Sequence, residues 1–289
     1  MTERNNEDRF APPPMGQQGF TPQMPNQQQN NQVQFVVPTE IVDLPSQGRF
    51  YPEGHTLHNK KTVEIRYMTA KEEDILTSST LIKKGIVFDR LLQSLMVENI
   101  HADDLLVGDK SALLVAARIT GYGPEYDTNV TCPSCRTKTQ YSFDLVESIP
   151  KYEDDTEYSA LFPVTQTERG TYIINLEKID SLVEVKFLNG HDEKRLTSIT
   201  NAKKKNNLGE SPITDALKAC IVSVNDNPDR GYVNGFVDNM PALQARKLRN
   251  IYKKISPKTN LTSLFSCASC AYEQELEVPI NVNFFWPDA

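Results

Sequence analysis

Cys132-Pro-Ser-Cys135 and Cys267-Ala-Ser-Cys270 are the residues of this chain best suited, by type and spacing, to do chemistry. Two residues between cysteines put both thiolates on one side of a tight turn, each about 2.3 Å from a shared zinc. One knuckle offers two ligands, and a closed structural zinc needs four. Cys132, Cys135, Cys267 and Cys270 supply that number with no further candidate required. In an ordinary zinc ribbon the knuckles lie about 15 to 20 residues apart. Here 131 residues intervene, so spacing alone does not license the pairing. Two local reducible disulfides, or a site that has lost its metal, stand as the alternatives. A redox role is disfavoured, because neither knuckle opens a helix that would lower a thiol pKa. Cys220, between Ala219 and Ile221 in an apolar helix, reads as a small core residue.

An internal repeat supplies the licence that spacing withholds. Residues 63–84 line up without gaps on 183–204, and Asp109-Lys-Ser-Ala-Leu113 parallels Asn239-Met-Pro-Ala-Leu243. From Lys61 to Met68, Val63, Ile65 and Tyr67 alternate with polar residues, the period of a strand. Thr69 then caps a helix, and Glu72 completes a capping box. The second copy repeats this grammar: Val183, Val185 and Phe187 alternate over strand 183–188, Asn189 caps, and Asp192 takes the third helical position. Second helices follow, with an apolar stripe of Phe88, Leu91, Leu92, Leu95 and Met96 in one copy and Ile213, Leu217 and Ile221 in the other. Third helices are expected to begin at Asp109 and Asn239, and closing strands at 140–145 and 273–280. The predicted fold is α+β: two tandem modules, 37–150 and 151–289, each running strand, three helices, CxxC knuckle, strand. One shared four-cysteine, zinc-ribbon-like site would join them across a pseudo-two-fold.

Residues 1–36 are dominated by Gln, Asn and Pro, a composition that buries too little apolar surface to offset its ordering entropy, so a disordered arm is expected. Residues 147–170 read as an acidic linker with an apolar island at Leu161-Phe162. A formal charge of −7 argues against a nucleic-acid binder relying on an overall basic field. No apolar run of about 18 residues suggests a membrane helix, and the acidic N-terminus does not resemble a secretory signal. Cysteines concentrated in knuckles fit a reducing compartment. Other features read as structural. His55 and His58 form a weak metal pair in a loop, and Lys203-Lys-Lys205 is a solvated helix end. Asn225-Asp-Asn-Pro-Asp229 lacks the glycine and terminal glutamate of an EF-hand. No phosphate-binding glycine loop, Gly-x-Ser-x-Gly elbow or His-Glu-x-x-His occurs, so no enzyme and no small-molecule substrate are expected.

Leu44-Pro-Ser-x-Gly-x-Phe-Tyr-Pro52, the Glu72-Glu73 helix, Gly108-Asp109-Lys110, Ala117-Arg-Ile-Thr-Gly-Tyr-Gly123 and Cys132-Pro-x-Cys135, in this order, resemble the T4-type phage baseplate hub assembly protein family. The resemblance covers most of residues 40–289. It implies a non-enzymatic structural or assembly protein of a contractile-tail baseplate hub, binding other baseplate or tail proteins. Such a protein is expected in the host cytoplasm during assembly, and thereafter either in the virion tail baseplate or released as a transient assembly factor. Phe50, Tyr51 and Phe284-Phe285-Trp286 are interface candidates, with core placement the stronger reading for the last three. The alternative is a zinc-ribbon nucleic-acid-binding regulator. Arg136 and Lys138 flank the first knuckle as that would require, but Glu273, Glu275 and Glu277 follow the second.

Overall fold

A computed structural model describes residues 36–148, 164–259, 261–278, 280 and 282–285, and all structural statements concern these residues. Residues 1–35 of the expected arm, 149–163 of the expected linker and Trp286 lie outside them. The alternation of Val63 and Ile65 builds strand β2 (Thr62–Arg66), which buries both side chains. It pairs antiparallel with β1 (Thr39–Asp43), Val63 facing Val42, and a bridge from Ile65 to Met96 flanks its other side. Thr69 caps α1 (Ala70–Thr77), and the Glu72 carboxylate accepts the Thr69 N–H at 2.9 Å and its hydroxyl at 2.6 Å. The run expected as one helix breaks at Ser78, whose extended backbone separates α1 from α2 (Ser79–Lys84). Short hydroxyl side chains here compete for the backbone, as when Thr77 Oγ1 donates to the Glu73 carbonyl. Next come α3 (Val87–Leu95), which buries Leu91, Leu92 and Leu95, then α4 (Val107–Tyr122) and the hairpin of β3 (Glu125–Thr131) and β4 (Lys138–Asp144).

The second half carries one antiparallel sheet in the order β5 (Val164–Gln166), β6 (Tyr172–Leu176), β7 (Ser181–Val185) and β8 (Ile221–Val224). The strand expected at 183–188 begins two residues earlier, because left-handed Asp180 (φ 46°) turns the chain directly back from β6. Asn189 caps α5 (Gly190–Lys205), its Oδ1 accepting the Asp192 N–H at 3.1 Å. Then follow α6 (Pro212–Cys220), β8, α7 (Arg230–Asp238), α8 (Ala242–Ile255) and the hairpin of β9 (Thr262–Ser266) and β10 (Glu273–Glu277). The third helices start elsewhere than expected. Asp109 is the third residue of α4, within its first turn, and Asn239 ends α7. The eight helices and small sheets make the described residues α+β. None of the helices is long and apolar enough to cross a membrane.

Side chains from Val42 to Phe285 join one hydrophobic cluster. Backbone also crosses between the halves. Val107 N–H donates to Leu188 O at 3.0 Å, and Gly190 N–H to Leu105 O at 3.1 Å. Gly108 lies so close to Pro257 that a Cβ would stand 2.0 Å from its carbonyl oxygen. Lys110 reaches Asp89 at 2.7 Å and Glu193 at 3.0 Å, and Lys194 reaches Asp89 at 3.1 Å and Asp103 at 2.5 Å.

Asp109 is fully buried and fastens the Leu44–Pro52 loop to α4. Its carboxylate accepts the Ser46 N–H at 2.9 Å, the Ser46 hydroxyl at 2.6 Å and the Tyr51 hydroxyl at 2.7 Å. Burial still pushes its pKa above the ordinary carboxylate range. The interface candidates Phe50 and Tyr51 pack within the protein, and Phe284 and Phe285 take the core placement read as the stronger one. Tyr51 belongs to this network, Phe50 packs edge-on to Phe187 at 4.7 Å, and Phe284 and Phe285 are core. His55 and His58 form no pair, since His55 Nδ1 accepts the Leu57 N–H while His58 Nδ1 faces Tyr51 O.

Candidate metal centre

Each knuckle is the turn of a β-hairpin, and the two turns share one geometry. In β3–β4 the Cys132 N–H donates to Thr137 O at 2.9 Å, and the Arg136 N–H returns to Cys132 O at 2.9 Å. In β9–β10 the Cys267 N–H donates to Tyr272 O at 2.9 Å, and the Ala271 N–H to Cys267 O at 2.8 Å. The residue after each second cysteine adopts a left-handed backbone, φ 60° at Arg136 and φ 54° at Ala271. That conformation costs a non-glycine residue roughly 1–2 kcal/mol. Two unrelated side chains accept it at equivalent positions, where the chain turns back to bring the Thr137 and Tyr272 carbonyls onto the Cys132 and Cys267 N–H groups.

The hairpins face one another and bring all four sulfurs within 4.8 Å of each other. Cys132 Sγ lies 3.8 Å from Cys270 Sγ, and Cys135 Sγ lies 3.8 Å from Cys267 Sγ. Four sulfurs at a tetrahedral Zn–S distance of about 2.3 Å would be separated by about 3.8 Å. The donor set therefore fits a tetrahedral, thiophilic divalent ion. Cys132 and Cys267 are buried, whereas Cys135 and Cys270 are exposed. All four are free cysteines, which leaves the local-disulfide alternative without support in the geometry.

The thiols do not titrate alike. Hydrogen bonds from Thr137, whose Oγ1 lies 3.3 Å from the sulfur, hold the Cys135 pKa down at about 6. Backbone N–H groups of Ser269 and Cys270 lower that of Cys267. For Cys270 a backbone hydrogen bond at Tyr272 works against desolvation and three neighbouring thiols, and its pKa rises to about 11. Four thiols this close cannot all ionise against one another without a cation among them.

Around the sulfurs lies a small second core of Cys132, Cys267 and Phe265, flanked by Val130, Tyr141 and Leu276. Tyr141 crosses between hairpins. Its ring meets Phe265 edge-on at 5.3 Å, and its hydroxyl donates to Leu264 O at 2.6 Å. Sequence reasoning missed this aromatic strut, although each ring sits on the strand beside its own knuckle. All four sequence-predicted ligands are thus gathered in one place, from positions 131 residues apart.

Residues 40–286 match the model of a protein family described as T4 bacteriophage base plate protein. No curated protein matches the chain. No solved structure matches it either.

Proposed function

The chain belongs to the T4 bacteriophage base plate protein family, and on that premise we propose a non-enzymatic subunit or assembly factor of the baseplate hub, braced by one zinc ion. The observation that carries this reading is the meeting of two distant hairpins at four cysteine sulfurs. Cys132, Cys135, Cys267 and Cys270 would hold the ion. Zinc supplies four Zn–S bonds without redox chemistry, which suits a brace. The protein contributes the turns, with Thr137 and the Ser269 and Cys270 N–H groups favouring thiolate at the ligands.

Common ancestry of modules 37–150 and 151–289, which we infer from their matching elements, would support a single shared ion. Val63 and Val183 each lie on a central strand, β2 and β7. Each strand has an antiparallel neighbour before it and a bridging partner immediately after the second helix, Met96 in one half and Ile221 in the other. Both halves open their first helix with a capping box and close on the same knuckle turn. The second half adds β5 and α7, insertions on a common plan.

A protein of this kind acts through contacts with other tail proteins, in the host cytoplasm while the tail is built. The nucleic-acid alternative gains little from the knuckles, since the strand after the second is acidic. Disrupting this gene in the phage that encodes it should yield particles without a complete central hub in electron micrographs. Intact, contractile tails in its absence would refute the assignment.

A further inference from the structure

The acidic chain carries one concentrated basic groove. Helix α8 turns Leu248, Ile251 and Ile255 into the core and presents Arg246, Lys247 and Lys253 outward. With Lys178 and Lys258 these line a cleft of about 940 Å³, where Glu177 is the one acid among the described lining residues. None of these five basic side chains has an ion-pair partner among the described residues. The groove is therefore short of negative charge.

A complementary surface stands on the same chain. Glu273, Glu275 and Glu277 are exposed and, being two apart, share one face of β10. The Tyr272 carbonyl and the Val278 N–H bond toward the β9 side, so the backbone groups of Glu273, Glu275 and Glu277 point away from it. Among the described residues β10 has no other strand partner. That edge offers carboxylates and free N–H groups together. The three glutamates span about 14 Å along a strand, comparable with the roughly 10 Å rise from Arg246 to Lys253 along a helix.

We propose that the α8 groove binds the β10 edge of a second copy of this chain, head to tail. Arg246, Lys247 and Lys253 receive the glutamates. A phosphate diester backbone would satisfy the lysines but would leave the open β10 edge and its glutamates unanswered, which favours the polypeptide. Such a contact is heterologous: each copy spends one groove and one edge and leaves the others free for the next. The inference rests on neither the zinc nor the family.

Sedimentation velocity of the full chain over a concentration and salt series tests it. Wild type should associate with concentration and dissociate as salt rises. Lys247→Glu with Lys253→Glu, and separately Glu275→Lys with Glu277→Lys, should each weaken association at least about tenfold by placing like charges together. Mixing the two reversed proteins should restore association between them, an outcome that misfolding of either cannot produce. The milder pair Arg246→Gln with Lys247→Gln should give a smaller loss in the same direction. A monomer at every concentration would mean that the glutamates merely guard an edge strand, and the proposal would fail. It would equally fail if association ignored both reversals, or if the groove retarded duplex DNA while the protein stayed monomeric.

Discussion

Cys267→Ser is expected to melt at a markedly lower temperature than the parent protein and to lose its metal. Structural zinc contributes on the order of 10 kcal/mol to folding where it supplies most of the core. Here the main cluster is built without the four knuckle cysteines, and the centre joins two hairpins otherwise tied by the small second core, with Tyr141 against Phe265 and Leu264. A loss of about half that figure, roughly 5 kcal/mol, corresponds to a fall in Tm of about 10–20 °C for a domain of this size. Hydrogen exchange should rise first in β3–β4 and β9–β10 and leave α3 and α4 protected. A chelator should drive the wild type to the same state. If calorimetry put the variant within about 2 °C of wild type, the four thiols would not be holding the hairpins through a metal.

The second large effect belongs to Arg118. Its side chain is 3% exposed, and its guanidinium donates to three carbonyls, Phe284 O from Nε at 2.9 Å, Gly123 O at 2.7 Å and Glu125 O at 2.9 Å. It also lies over the Tyr122 ring at 5.4 Å. No carboxylate pairs with it among the described residues, and burial lowers its pKa below the usual arginine range. This one fork ties together the end of α4, the start of β3 and the turn at 282–284. Arg118→Met keeps most of the volume and leaves three acceptors without donors, so a loss of about 3–5 kcal/mol is expected. Arg118→Lys should recover only part of that, because an ammonium cannot present the planar fork. Urea denaturation reads both, and metal content should stay unchanged. An Arg118→Met loss under about 1 kcal/mol would show those carbonyls to be satisfied some other way.

How much of this was legible in the sequence depended on the range of the interaction that decides each feature. The strand-cap-helix starts at Thr69 and Asn189 were readable, because strand period and capping box act within a few residues. Ile221 continues an apolar helical stripe, yet it opens β8, and periodicity alone cannot separate those two uses of a short apolar run. The polar run at Asn225–Asp229 offers oxygen ligands but lacks the glycine and terminal glutamate of an EF-hand. It is the turn into α7, with the Asp229 carboxylate accepting the Tyr232 N–H at 2.7 Å. The four cysteines were readable by type and spacing, but their meeting depends on the whole chain between them. Ser46 and Arg118 appeared only as turn and motif residues, Asp109 as a helix start and Tyr51 as an interface candidate. Their roles as buried hydrogen-bonding groups come from partners up to 166 residues away, which no local pattern reports.

The proposed zinc centre is tested most directly by X-ray absorption at the zinc edge, with elemental analysis, on protein purified under reducing conditions. The account predicts one equivalent of zinc per chain, surrounded by four sulfur atoms at about 2.3 Å. Less than half an equivalent, or a shell containing nitrogen or oxygen ligands, would contradict it.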